Sequence, residues 1–98
     1  RAMQMGTRAA PMVLDVEAEL AYWRAEHAAG RLGKHGFGTY ALAVKSACDV
    51  WLHTPRANEE RRLETLRERY ELNVMSRLQW DEAADLAKRV WRHLGADA

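Results

Sequence analysis

The sequence predicts an all-α chain, a single-domain four-helix up-and-down bundle, on three observations. Apolar residues recur every three or four positions in four separate segments: Val16, Leu20 and Trp23; Phe37, Tyr40, Val44, Ala47 and Trp51; Leu63, Leu66, Tyr70 and Val74; and Ala83, Ala87, Val90 and Leu94. That step gathers each set on one face of a helix and argues against strands, whose side chains alternate every second residue. Helix breakers fall between the segments, at Gly30–Gly38, at Thr54-Pro55 and at Gly95. A chain of 98 residues with 48% apolar content suits one packed domain, and short connections favour antiparallel neighbours.

The elements follow in order. Residues 1–11 mix small residues without periodicity and read as a flexible N-terminal segment, partly of cloning origin, with native sequence starting near Met5 or Met12. The helical domain spans residues 12–95. A first helix near 15–29 takes Asp15 as its N-cap, carries Glu17 and Glu19 in its first turn, and stops at Gly30. Four glycines within the nine residues Gly30–Gly38 mark a loop. The second helix covers about 38–53. Thr54 is expected to cap the third helix, near 56–77, with Pro55 at its first position. Charged pairs such as Glu59/Arg62 and Arg61/Glu64 are expected to line its solvated side. The fourth helix, near 80–94, has Asp81, Glu82 and Asp85 early and Lys88, Arg89 and Arg92 late, as the helix dipole favours. The expected core is Val16, Leu20, Trp23, Phe37, Tyr40, Val44, Trp51, Leu63, Leu66, Tyr70, Val74, Ala87, Val90 and Leu94.

Composition narrows the function classes. Fifteen basic and fourteen acidic residues leave a formal net charge of +1, so no whole-molecule field draws in nucleic acid or an anionic membrane. No apolar run approaches the roughly 20 residues of a membrane span. A single cysteine, Cys48, excludes an internal disulfide and fits a reducing compartment; the chain reads as cytoplasmic. Cys48 sits mid-helix beside Ala47 and Trp51, where burial would raise its thiol pKa and leave it inert. His27, His35, His53 and His93 lack the paired spacing of a zinc site. No paired carboxylates, triad or serine elbow is visible. The chain therefore reads as a non-enzyme with no cofactor and no metal.

Two sets of residues stand out as candidate sites. The glycine loop is basic, with no acidic residue from His27 through Cys48, and it feeds a helix N-terminus. Arg31, Lys34, Gly36, Gly38 and Thr39 are its candidate anion-binding residues, since free amides and the helix dipole hold anions there. Against that, the loop lacks the Lys-Ser/Thr pair of a Walker A motif and follows no strand, and at nine residues it exceeds the turn of a DNA-binding helix pair. The second set is Leu72, Met75, Leu78 and Trp80. Near it Val74 also breaks the single-face pattern, and apolar coverage of more than one face suggests an interface.

The final stretch, from Leu78-Gln-Trp-Asp-Glu-Ala-Ala to Val90-Trp-Arg-His-Leu94, resembles the ending of small uncharacterised, stress-associated helical proteins of bacteria. The likeness spans about a sixth of the chain. That family has tyrosine-rich turns where this chain has the glycine loop, and the resemblance implies no catalytic residue. The expected function is a protein-interaction module that binds a protein partner or forms a homodimer. The alternative is an anion- or nucleic-acid-binding module working through loop 30–38.

Overall fold

The computed structural model describes residues 14–72 and 78–95. Among the described residues four helices follow one another: α1 (Val16–Ala28), α2 (Phe37–His53), α3 (Glu59–Leu72) and α4 (Trp80–Leu94). The fold is the expected all-α bundle. The end of α1 meets the start of α2 through His27 and Phe37. Arg92, late in α4, holds Glu59 at the start of α3, whereas Tyr70, late in α3, packs on Trp80. Successive helices thus run up and down. Residues 1–13, including the expected N-terminal segment 1–11, and Val74 of the expected core lie outside the described residues.

Local chemistry sets the ends. The Asp15 carboxylate accepts from the Ala18 amide at 3.0 Å and caps α1 as expected. At the other end the Gly30 amide donates to His27 O and the Arg31 amide to Glu26 O, with Gly30 at φ 82°. This pair of bonds is the Schellman closure, and the left-handed residue it needs is glycine here. One boundary differs from expectation. Thr54 does not cap α3; its hydroxyl turns back to Val50 O at 2.6 Å and closes α2. Asn58 caps instead, accepting from the Arg61 amide at 2.8 Å, so α3 begins at Glu59 and not at Arg56.

The centre of the bundle is the parallel pair α2 and α4, with α1 and α3 flanking it on separate sides. Ala43, Ala47, Ala83 and Ala87 are all buried, and these small residues let the two helices approach closely. Trp91, 0% exposed, spans the seam and donates its Nε1–H to Ala47 O at 2.9 Å. Of the expected core, Leu20, Trp23, Tyr40, Val44, Leu66, Ala87 and Val90 are buried, whereas Val16, Phe37, Trp51, Leu63, Tyr70 and Leu94 pack half-buried around them. Trp51 is half-covered because the Arg62 guanidinium lies over its ring, 4.4 Å from the centroid.

Arg62 is a correction to the expected solvated face of α3. It is only 5% exposed, and it donates through Nη2 to Thr54 O at 2.9 Å. Burial lowers its pKa below the usual arginine value. Glu59, its expected partner, pairs with Arg92 on α4 instead, while Arg61 and Glu64 do pair at 3.2 Å.

Candidate functional site

The glycine loop is knitted to the bundle. The Tyr40 hydroxyl accepts from the His35 amide at 3.2 Å, His27 Nε2 donates to His35 O at 2.7 Å, and Arg89 of α4 donates to Arg31 O at 3.0 Å. Arg31 itself forks onto Glu26, with its Nε and Nη2 at 2.9 and 3.1 Å from the two carboxylate oxygens. That bond holds the Glu26 carboxyl below its ordinary pKa and raises the Arg31 guanidinium. Arg31 is therefore already neutralised by a carboxylate. Gly36, Gly38 and Thr39 do come together at the α2 N-terminus, but the Thr39 amide donates to Gly36 O at 3.1 Å. Lys34 is exposed. The loop's internal order accounts for Gly30 and Gly33, whereas Gly36 and Gly38 stand in open space without a positive φ.

Gly33 sits at φ 150°, and a Cβ there would fall 2.4 Å from the Tyr40 hydroxyl oxygen. Gly33→Ala should cost roughly 1–3 kcal/mol through strain and loss of the tyrosine contact. Gly36→Ala, at ordinary φ with open space around it, should cost well under half of that. Urea unfolding of both variants checks this, and equal costs would show that the loop does not rest on Tyr40.

Of the four expected interface residues, Leu78 and Trp80 lie fully within the described residues. Leu72 closes α3, and its side chain lies outside the described residues, as does Met75. Leu78 is only 5% exposed; its apolar surface is used within the chain, and its carbonyl accepts the Tyr70 hydroxyl bond. Trp80 is half-buried between the Tyr70 ring, 5.9 Å away, and the Arg67 guanidinium, 5.3 Å away.

Trp80 belongs to a trough of about 470 Å³ between α3 and α4. Leu63, Trp80 and Ala84 give it an apolar floor. Glu60, Glu64 and Arg67 form one wall, and Asp81, Asp85 and Lys88 the other. The signal for it was in the sequence: Glu60-x-x-Leu63-Glu64-x-x-Arg67 and Asp81-x-x-Ala84-Asp85-x-x-Lys88 repeat one pattern of acid, apolar, acid and base. Offsets of three, four and seven place each set on one face of its helix.

Sequence reasoning also missed a polar cluster joining α1 to α4. Glu19, 5% exposed, accepts from Trp23 Nε1 at 3.0 Å and from His93 Nδ1 at 2.6 Å. The His93 ring stacks on Tyr22 with centroids 3.8 Å apart. Glu19 lies on the α1 face of Val16, Leu20 and Trp23, so helical spacing could have shown it pointing inward. The neighbouring Cys48 is 1% exposed. Burial, with a smaller contribution from the Glu19 charge, pushes its thiol up to about 12. Such a thiol carries almost no thiolate at neutral pH and is a poor nucleophile.

Among the described residues no three His, Cys, Asp or Glu side chains converge as a metal site, and no helix is long and apolar enough to cross a membrane. No protein-family model, curated protein or solved structure matches this chain.

Proposed function

We propose that this chain is a non-enzymatic protein-interaction module that works through the α3–α4 trough. The observation that carries this reading is the trough itself: an apolar floor of Leu63, Trp80 and Ala84, rimmed by charged side chains and open to solvent. Interfaces share that anatomy, with an apolar centre that includes an aromatic anchor and a polar rim. A half-buried tryptophan fixed by Tyr70 and Arg67 is a rigid anchor that costs little ordering entropy on binding. The glycine loop gives less support to the anion-binding alternative, because Arg31 is already held by Glu26.

The test is quantitative affinity enrichment with three baits: the unaltered chain, Leu63→Lys in the trough, and Lys34→Glu on the glycine loop. Leu63 is half-buried, so its lysine variant should stay folded, which circular dichroism checks. A protein retained by the first and third baits, lost with the second and confirmed as a direct partner with purified components, is the expected outcome. Retention by all three baits would remove the trough from the interface.

A further inference from the structure

The charge arrangement of the trough carries an inference about its occupant, which rests on the reading of the trough as an interface. Because α3 and α4 are antiparallel, their two matching patterns run in opposite directions. Arg67 and Asp81 therefore stand toward one end, Glu60 and Lys88 toward the other, and Glu64 and Asp85 on opposite walls between them. The lining residues are four carboxylates and two cations, an excess of negative charge. Elsewhere on the surface Glu26 is paired with Arg31, Asp49 with Arg69 and Glu59 with Arg92, while Glu17 and Glu68 have no ion-pair partner among the described residues. Glu60 and Asp85 of the trough have no ion-pair partner among the described residues, and Glu64 has only Arg61, whose side chain is 70% exposed.

We propose that the trough takes a basic amphipathic helix from a different protein. Its apolar stripe rests on Leu63, Trp80 and Ala84, and its flanking Lys or Arg side chains reach the carboxylates of the two walls. The spacing matches. On each wall successive carboxylates are four residues apart, about one helical turn, which is the repeat of side chains along a docked helix. A volume of about 470 Å³ admits the anchors of such a helix while its backbone lies along the rim, the helix-in-groove mode of recognition.

Charge also argues against the other occupants. A second copy docking trough to trough would form an isologous contact. Its ends could pair Glu60 and Asp81 with the cations of its mate, but the central Glu64 and Asp85 would face carboxylates, and each trough carries the same excess of negative charge. Nucleic acid would bring phosphates to carboxylates, with the opposite of the required sign.

The probe is a synthetic amphipathic peptide of about five helical turns, with a leucine stripe flanked by lysines, compared with a twin in which every lysine is glutamate. Fluorescence anisotropy of the labelled peptides measures affinity, and amide NMR shifts locate the contact. The lysine peptide should bind with shifts on α3 and α4, and the glutamate twin should not. Glu64→Lys with Asp85→Lys should weaken the lysine peptide by at least about tenfold and improve the twin, because like charges across an interface are strongly unfavourable. Raising salt from roughly 0.05 to 0.5 M should weaken the pair in the same direction. Lys34→Glu should change nothing.

Equal affinity for both peptides, or indifference to the double charge reversal, overturns the basic occupant while leaving the trough as an interface. Sedimentation of the peptide-free chain as a dimer that Leu63→Lys dissociates overturns it in favour of self-association. Absence of shifts on α3 and α4 with either peptide overturns the proposal and the trough interface together.

Discussion

Trp91→Ala should remove a large share of the chain's stability. Trp91 is fully buried in the seam between α2 and α4, and its indole donates to the Ala47 carbonyl. Truncating a buried tryptophan costs about 3–5 kcal/mol, because the surrounding helices close the cavity only in part. A domain of this size has roughly 5–15 kcal/mol of stability to lose from. Trp91→Phe separates the two contributions. It keeps most of the ring volume and gives up the hydrogen bond, so it should cost about 1–2 kcal/mol. Urea unfolding followed by circular dichroism measures both. A loss below about 1 kcal/mol for the alanine variant would mean that α2 and α4 do not meet as described. The same change at Trp51 should cost less, since Arg62 and solvent share the cover of that ring.

That contrast shows where the sequence was legible. Helix periodicity and the breakers at Gly30, Pro55 and Gly95 located all four helices, because amphipathic spacing and end chemistry are local signals. What periodicity could not rank was which stripe lies deepest. Phe37, Tyr40, Val44, Ala47 and Trp51 suggested one narrow face on α2, whereas the structure buries Tyr40, Ala43, Val44, Ala47, Cys48 and Val50. Since α2 packs against all three other helices, its apolar surface is broad, and Phe37 and Trp51 fall at the ends of the stripe where cover is thinner. Charged residues were misread for a related reason. Arg62 was assigned to a solvated face and Glu19 only to the favourable charge of the first turn of α1, yet each reaches the interior, where a tryptophan lies beside it. The trough was legible only as a pair of matching patterns, because neither helix forms it alone.

The second large effect is expected at Glu19. Its carboxylate is buried and accepts bonds from Trp23 Nε1–H and His93 Nδ1–H on the same oxygen, Oε2. Glu19→Ala removes the acceptor from both and leaves the buried Trp23 indole N–H without a partner. An orphaned buried donor costs about 1–3 kcal/mol, and the removed packing adds to this, so about 2–4 kcal/mol is expected. His93 is more exposed, its side chain at 36%, and water can satisfy it, which keeps the total below that of a fully buried ion pair. Glu19→Gln retains an amide oxygen that can accept from both donors and gives up only the charge-assisted strength, so it should cost about 1 kcal/mol. The glutamine variant should also leave Cys48 unreactive, because burial is the larger cause of its raised thiol pKa and the Glu19 charge the smaller. Urea unfolding and thiol labelling of the folded protein read the two effects separately. If Glu19→Ala unfolds within about 0.5 kcal/mol of the parent, the range of an ordinary surface change, the carboxylate does not tie α1 to α4. If Glu19→Gln makes Cys48 reactive, then the charge and not the burial protects the thiol.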